Sequence, residues 1–517
     1  MLVFEWIVAV LLGAVALAAL ARRIGAPYPS LLALGGVVLA FVPGGPSWTL
    51  DPELALALFI APVLLDAAYD TSTRDLRDNW LPVAGLVLIA VTLTTVAVAV
   101  VAHAMVPSLP WAAAVALGAA VAPPDAAAAT AVLKQVRLPQ RLVTILEGES
   151  LLNDASALLI YRLAVGAVAT GGFSPAAVAP TFVLAVIGSV AAGWALARVA
   201  LRVLARIDDA TSAIVVQFGT TFGVWILAER LGLSGILTIV VYAIAVARDA
   251  PTRTPAVIRV PAYAVWDTAV FVLNVLAFVM IGLQVRPIWE QLDAAVRQEY
   301  ALVAGAVLLT IIVVRFAWAM SYNAVVRWRI ARYGFHPPRP MLRPTVQSGL
   351  VISWCGMRGI VTLAAAFGLP AGFPYRDLIV FTAFCVVVGT LVVQGLSLKP
   401  LLQRFHFEDA DPVAAEVSQA RREAYQAALR ALDGDTSPEA ELLRREYSAV
   451  LSQAKRNPDG FIPGERPADP LRRRAIAAAR KAVNDLRDTG AIGDNAFHRV
   501  EQELDWNELS AASPSDG

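Results

Sequence analysis

Residues 147–162 read E-G-E-S-L-L-N-D-A-S-A-L-L-I-Y-R, and residues 122–125, shortly before them, read A-P-P-D. Both stretches lie in chain that is otherwise almost purely apolar. An ionised carboxylate in hydrocarbon costs at least ~2.5–3.5 kcal/mol on insertion scales, so a membrane-embedded acid is by default a functional candidate. The acids Glu147, Glu149, Asp154 and Asp125 therefore indicate an ion or proton path.

The composition around these acids is that of a membrane protein. Of 517 residues, 58% are hydrophobic and 16% are charged, below the ~25% charged residues of soluble domains. The net charge of +1 gives no indication of a nucleic-acid partner. Two cysteines and four scattered histidines predict no disulfide framework and no zinc site, and we expect no cofactor. The class is therefore predicted to be an all-α polytopic membrane protein.

We predict about thirteen spans, each near the length of a bilayer crossing. They lie at residues 2–21, 29–43, 53–70, 80–105, 111–133, 140–167, 177–205, 211–229, 233–248, 263–286, 300–325, 346–370 and 377–402. The N-terminal run is predicted to be the first span, because it lacks the basic start and cleavage site of a removed signal. Residues 1–404 form the predicted membrane domain. Residues 405–517 are charged and helix-patterned and form a predicted small helical cytoplasmic tail.

The lysines and arginines in the loops predict the orientation. One set of alternate loops carries about 17 of them and the other set about 4, and the richer set faces the cytoplasm. The N-terminus is therefore predicted to face outward and the C-terminus to lie in the cytoplasm, which requires an odd number of spans. The localisation that follows is the cell membrane.

Two of the spans carry signs of interruption. In the fifth span, Pro123 and Pro124 remove two amide donors. In the twelfth, Cys355-Gly356-Met357-Arg358-Gly359 places two glycines around a charge at mid-membrane. Transporters built from inverted repeats have broken helices at matching positions in their two halves. We therefore predict an inverted repeat of about six helices with two broken crossing helices.

The acids of the sixth span form a polar seam. Ser150 and Asp154 are four residues apart and share a helix face, and Glu147 lies one turn further along it. Glu149 and Asn153 occupy the adjoining face. A hard monovalent cation prefers oxygen ligands, which Asp154, Ser150 and the carbonyls freed at the double proline can supply. The alternative is a buried polar network that only rigidifies the bundle.

The remaining polar positions receive narrower roles. Asp125 would cap the second half of the broken fifth span, either as a cap alone or also facing the ion. Arg358 keeps its proton and needs a partner in lipid; Glu149 is the predicted partner, with Asp125 or Glu147 as alternatives.

Three further positions and one arginine lie farther from the seam. Asp66, in the third span, could reach the ion or its path, or could be structural. Asp267 and Asn274, seven apart in the tenth span, are expected around the ion rather than on it, as are Glu147 and Pro124. Arg315 is expected to extend to a membrane interface.

Two classes compete with a transporter. G-L-S-G at residues 232–235 has the look of a serine-protease motif, but serine hydrolysis needs a base near the serine. The only histidine inside a span, His103, lies near its outer end. We therefore expect no enzyme. A cation channel is the second competing class.

The segments E-G-E-S-L-L-N-D-A, A-P-P-D-A-A-A-A-T-A-V-L and G-M-R-G-I-V-T-L-A-A-A resemble the cation/proton antiporter-1 family, which includes bacterial Na⁺/H⁺ antiporters and animal sodium/proton exchangers. The resemblance covers roughly residues 1–405, with the motifs in the same order. It implies that Asp154 binds cation or proton, that Asn153 sits beside it, and that Ser150 and Asp66 join the ion site.

The same resemblance implies that Asp125 lies in the unwound crossing, that Glu149 pairs with Arg358, and that the protein is a homodimer. This chain has Pro124 where many members have Thr or Ser, and Asp66 and Asp267 where many have Glu. We therefore expect exchange of Na⁺, or of K⁺ or Li⁺, for H⁺ at one aspartate by alternating access. With a single acid the exchange would be 1:1 and electroneutral.

Overall fold

The computed structural model describes residues 2–45, 51–125, 138–170, 175–334, 344–405, 412–456, 469–489, 500–501 and 503–508. Within these ranges all regular secondary structure is helical. The chain divides into two compact units, Met1–Glu408 and Asp409–Gly517. The expected all-helical class is confirmed for the described part of the chain.

Seven helices are described in the first part of the larger unit. They are α1 (Leu2–Ile24), α2 (Tyr28–Ala40), α3 (Pro52–Asp70), α4 (Thr73–Asp78), α5 (Trp80–Met105), α6 (Trp111–Val121) and α7 (Gln140–Thr170). Nine more are described in the rest of it: α8 (Pro175–Leu204), α9 (Ala210–Arg230), α10 (Gly235–Arg253), α11 (Ala256–Leu283), α12 (Val285–Gln291), α13 (Arg297–Tyr333), α14 (Val346–Trp354), α15 (Ile360–Phe367) and α16 (Arg376–Gln403).

Many of these helices have the length and apolar composition of membrane-spanning helices. In the described part of the chain, nine are long and apolar enough to cross a membrane, and α2 and α6 are shorter apolar helices. Each of the thirteen predicted spans overlaps at least one helix. The number of crossings itself stays a prediction.

Both predicted interruptions are present. Helix α6 ends at Val121, and the backbone of residues 122–125 is not helical. Helix α14 ends at Trp354, and α15 begins at Ile360 after five non-helical residues. The first break follows from the two prolines, which supply no amide hydrogens. The second half of the fifth span, expected to reach residue 133, lies outside the described residues.

Close packing fixes α6 beside α5. A Cβ atom on Gly118 would lie 2.4 Å from the carbonyl oxygen of Thr95, well inside van der Waals contact. Only glycine therefore allows α6 to approach α5 this closely. This contact positions the end of α6, where the first break begins.

In the described ranges, three helices contain π-helical turns, at Leu56–Ile60 in α3, Gly85–Ala90 in α5 and Leu391–Gly395 in α16. Such turns leave carbonyls without their usual helical partners and are frequent at functional sites. In two of them a serine hydroxyl donates to a carbonyl of the turn: Ser156 to Val87 at 2.8 Å and Ser30 to Leu391 at 2.6 Å. Ser156 lies two residues after Asp154, so the turn in α5 contacts the polar part of α7.

The smaller unit is described by three amphipathic helices, α17 (Pro412–Ala431), α18 (Pro438–Arg456) and α19 (Asp469–Asp488). Tyr425 of α17 and Tyr447 of α18 pack with ring centroids 5.6 Å apart. Arg472 of α19 pairs with Glu446 of α18 at 3.1 Å, and Arg480 pairs with Asp505 at 2.7 Å. Aromatic packing and exposed ion pairs thus connect the elements of the tail.

Candidate functional site

Helix α7 contains the polar residues of the predicted seam. Glu149, Asn153 and Asp154 are buried, with 2%, 0% and 9% of their surfaces exposed. Glu147 and Ser150 are half-buried. Burial of three neighbouring polar side chains in an apolar bundle requires specific partners, and these partners come from the two broken helices.

Asn153 connects α7 to the first break. Its side-chain nitrogen donates a 2.7 Å hydrogen bond to the carbonyl oxygen of Pro124. Its side-chain oxygen is buried and has no hydrogen-bond donor among the described residues. The amide thus holds the double-proline segment against α7 and leaves one oxygen directed into the interior with capacity to accept.

Asp125 connects the two breaks to each other. Its backbone nitrogen donates a 2.7 Å hydrogen bond to the carbonyl oxygen of Met357. Its carboxylate lies against Gly359, where a Cβ atom would sit 1.6 Å from Oδ2 of Asp125. The two non-helical segments are therefore in direct contact, as expected for paired broken helices.

Asp154 lies close to this crossing. Its carboxylate interacts electrostatically with that of Asp125. Among the described residues no side chain or backbone amide donates a hydrogen bond to it. Two carboxylates near one another, one of them without a donor, form an arrangement in which a bound cation or proton relieves repulsion.

The guanidinium of Arg358 donates hydrogen bonds to backbone carbonyl oxygens. Its guanidinium donates to Val121 at 3.0 Å, to Ala122 at 3.2 Å and to Gly356. The first two carbonyls belong to the end of α6, so Arg358 satisfies acceptors that the helix leaves unpaired and complements the negative helix end. The expected compensation of a half-helix end is therefore present.

The predicted pairing of Glu149 with Arg358 is wrong. Arg315 of α13 holds Glu149 through two hydrogen bonds, at 2.5 Å to Oε1 and 2.8 Å to Oε2. Arg315 also donates to the carbonyls of Ile352 and Cys355, each at 3.2 Å. Arg315 is thus buried and paired, and the expectation that it extends to an interface is also wrong. A planar guanidinium matches a carboxylate bidentately, and α13 brings Arg315 to Glu149.

Asp66 and Asp267 occur together, in a cavity of about 280 Å³ between α3, α9, α10 and α11. Asp154 is not among the residues that line this cavity. Asn274, expected on the same face as Asp267, is half-buried and also lies outside the lining. The predicted site residues therefore fall into two groups, one at the crossing and one in the cavity.

Three contributions escaped the sequence analysis. The hydroxyl of Thr390 accepts a 3.0 Å hydrogen bond from the backbone nitrogen of Arg358. Arg376 donates to the carbonyls of Leu369 and Phe367 and so caps the end of α15. The third is Arg315, whose place in the middle of an apolar run was the available signal. Thr390 and Arg376 gave no such signal, because their partners are backbone atoms.

The sequence of the chain is similar to those of known proteins. Residues 7–404 match the sequence profile of a family described as sodium/hydrogen exchanger, transmembrane. The chain is 29% identical over 498 residues to a sodium, potassium, lithium and rubidium/H⁺ antiporter of Bacillus pumilus, covering 92% of this chain and 73% of that one. It is 32% identical over 520 residues to an uncharacterized Na⁺/H⁺ exchanger of Mycobacterium tuberculosis, covering 96% and 93%.

Among solved structures, the fold is similar to that of the sodium proton antiporter of Methanocaldococcus jannaschii at pH 8. The TM-score is 0.60 at 16% sequence identity, and the match covers 78% of this chain and 99% of that one. At this identity the likeness is one of fold.

Proposed function

The chain belongs to the sodium/hydrogen exchanger family, and from that premise we propose that it exchanges a monovalent cation for a proton across a membrane. It acts as a secondary transporter, not as an enzyme. Asp154 holds the proton or the cation in turn, and the site opens alternately to each side of the membrane.

One observation carries this proposal: a buried carboxylate lies where two broken helices cross. Asp154 is 9% exposed, and its neighbour Asn153 is bonded to the double-proline segment. Oxygen atoms that can serve as cation ligands beside Asp154 are those of Asp125, Ser150 and the side-chain amide of Asn153. Such donors suit a hard alkali cation, and ionised side chains in a membrane are kept where ions pass.

The charges at the crossing support a 1:1 exchange. Asp125 and Asp154 bring two negative charges, and Arg358 brings one positive charge. Glu149 and Arg315 neutralise each other. One negative charge is left in excess, and a single Na⁺ or H⁺ removes it. The loaded site is then neutral and moves more readily through the low-dielectric interior than the empty site.

The transported cation is Na⁺, with K⁺ or Li⁺ as further substrates. A K⁺-preferring antiporter is the alternative. The Bacillus pumilus relative, described as acting on sodium, potassium, lithium and rubidium, favours a broad range. Asp66 contributes to the cation path from its cavity, and Asp267 lines the same cavity.

The protein sits in the cell membrane with its N-terminus outside and its C-terminal tail in the cytoplasm. The excess of arginine in one set of loops supports this orientation. The family relationship supports a homodimer, and residues 405–517 form the cytoplasmic helical region.

The test uses the full chain in proteoliposomes that carry an imposed pH gradient. Adding Na⁺, K⁺ or Li⁺ in turn should dissipate the gradient for at least one of these cations, while protein-free vesicles keep it. An imposed membrane potential should leave the rate nearly unchanged. Absence of any cation-dependent proton movement contradicts exchange, a strong voltage dependence contradicts the 1:1 ratio, and single-channel currents point to a channel.

A further inference from the structure

The cavity that contains Asp66 and Asp267 has a lining suited to a larger guest than an alkali ion. We propose that it binds a small organic cation, an ammonium group carrying methyl substituents. Its volume of about 280 Å³ lies at the lower edge of the ~300–1,000 Å³ of small-molecule sites. A cavity of that size has room for a methylated ammonium.

Part of the described cavity lining is aromatic. Four rings line it, those of Tyr69, Tyr242, Tyr263 and Trp266. Tyr69 and Tyr263 meet edge to face with centroids 6.3 Å apart. A cation near aromatic faces is attracted by the ring quadrupoles, and aromatic cages recognise quaternary ammonium groups in this way.

The tryptophan is held in place by two side chains of α9, Phe218 and the lining residue Gln217. Phe218 stacks on the indole at 4.1 Å with an interplanar angle of 12°. The indole nitrogen donates to Gln217 at 2.9 Å. The ring is therefore fixed before a ligand arrives, which reduces the ordering cost of binding.

The charge of the lining favours a cation. Among the described lining residues there are three carboxylates, Asp66, Asp70 and Asp267, and one guanidinium, that of Arg259. Asp267 makes no hydrogen bond or ion pair with any described residue, although it lies well inside the spanning helix α11. The Asp267 side chain is exposed and lines the cavity, so an ammonium guest has access to an unpaired carboxylate there. Neutral apolar molecules of the same shape would lack this interaction.

The cavity opens at one end of the bundle. Leu204, Asp70, Thr254 and Arg259 line it and lie at the ends of their helices, beside the arginine-rich loops that we assign to the cytoplasm. Because Asp66 belongs to the proposed cation path, an occupant here competes with the transported cation. This consequence rests on the proposed exchange, whereas the binding itself does not.

Choline is the probe, and its uncharged isostere, in which a quaternary carbon replaces the nitrogen, is the matched control. Both are added on both sides of the proteoliposome bilayer at constant ionic strength. Choline should raise the apparent KM for Na⁺ and leave the maximal rate unchanged, and the isostere should do neither. Equal inhibition by the two compounds overturns the proposed recognition, and no effect of choline on transport overturns the proposed competition with the transported cation.

The variants below should change choline binding in opposite directions. Misfolding would weaken binding in every variant, so it cannot produce this pattern. Tyr263→Leu should weaken choline binding about two- to fivefold, the magnitude of an exposed cation–π contact, whereas Tyr263→Phe keeps the ring and should bind as the wild type does. Arg259→Gln removes the only cation among the described lining residues and should strengthen choline binding several-fold. A uniform change in all three variants contradicts the proposed recognition.

A transport-independent measurement separates this proposal from the proposed function. Choline should raise the thermal unfolding temperature of the purified full-length protein, and Asp267→Asn should reduce that shift. If exchange is absent but the choline shift is present and depends on Asp267, the cavity proposal stands alone. A shift that survives in both Asp267→Asn and Tyr263→Leu overturns it.

Discussion

Helix ends inside the membrane bundle and helix ends at its surface are satisfied by different groups. At the surface, short side chains cap the helices that they precede. Asp51 accepts from the amide of Leu54, and Asp209 accepts from that of Ser212. Inside, Arg358 reaches the end of α6, and Arg315 binds the carbonyls of Ile352 and Cys355 at the end of α14.

The two interior arginines also differ from each other. Arg315 is neutralised in place by Glu149. Arg358 contacts only uncharged groups among the described residues, three backbone carbonyls and the hydroxyl of Thr390. The arginine at the end of α14 is thus paired with a carboxylate, whereas Arg358 at the end of α6 has no ion pair among the described residues. The two interior helix ends therefore differ in how the charge of their arginine is compensated.

Breaking the ion pair between Glu149 and Arg315 should cause the largest loss of stability. Arg315→Gln leaves Glu149 buried without a countercharge, which costs about 3–5 kcal/mol when a buried pair is broken. The double variant Glu149→Gln with Arg315→Gln should regain much of this loss, because no charge is stranded. Thermal unfolding of the three proteins in detergent checks this. A double variant as unstable as Arg315→Gln alone would contradict the pairing.

Replacing Arg358 should also reduce stability, but the loss should not depend on Glu149. Arg358→Gln deprives the carbonyls of Val121, Ala122 and Gly356 of donors, at about 1–3 kcal/mol for each one that stays unsatisfied. Adding Glu149→Gln should bring no recovery, because Glu149 is not the partner of Arg358. The same unfolding assay decides this, and a rescue by Glu149→Gln would restore the pairing predicted from the sequence.

Gly359→Ala tests the contact between the two breaks. The added Cβ would lie 1.6 Å from the Asp125 carboxylate, so Asp125 must move away from the crossing. We expect a raised KM for the cation and a smaller loss of stability than in either arginine variant. Gly13→Ala is the matched control, because nothing lies within 4 Å of its added Cβ. Equal KM values in the two variants would mean that Asp125 does not act on the cation.

The surface caps should give the smallest effect, and one that depends on pH. Hydrogen bonds from the backbone amide and the hydroxyl of Ser212 hold the pKa of the Asp209 carboxyl below its usual value. Its stabilising contribution is therefore complete above the unfolded pKa of ~3.9 and is lost as the pH falls through the lower folded pKa.

Asp209→Asn keeps a capping oxygen but removes the charge. The wild type should unfold at a slightly higher temperature than this variant at neutral pH, and the difference should shrink on acidification below about pH 4. Thermal unfolding of both proteins across this pH range is the measurement. A difference that stays constant with pH would contradict the role given to the carboxylate.

Much of this architecture could be read from the sequence. The double proline and the glycines around Arg358 predicted both interruptions, because each removes a requirement of regular helix. The four-residue spacing of Ser150 and Asp154 predicted a common face. These inferences concern local chemistry, which a short stretch of sequence contains.

What escaped prediction depends on tertiary distance. Glu149 and Arg315 are separated by 166 positions, and two buried arginines offered two ways to neutralise one acid. Arg358 finds backbone carbonyls, which every residue has, so sequence gives no sign of that partner. The sharing of one cavity by Asp66 and Asp267 depends on how α3 and α11 pack, which their separate patterns do not specify.

The central claim is that one carboxylate, Asp154, carries the exchange. The direct measurement is cation-driven proton movement by Asp154→Asn in proteoliposomes, with Asp209→Asn as the matched carboxylate-to-amide control outside the membrane. Asp154→Asn should show no proton movement above protein-free vesicles, and Asp209→Asn should retain it. Exchange at the wild-type rate in folded Asp154→Asn would contradict the account.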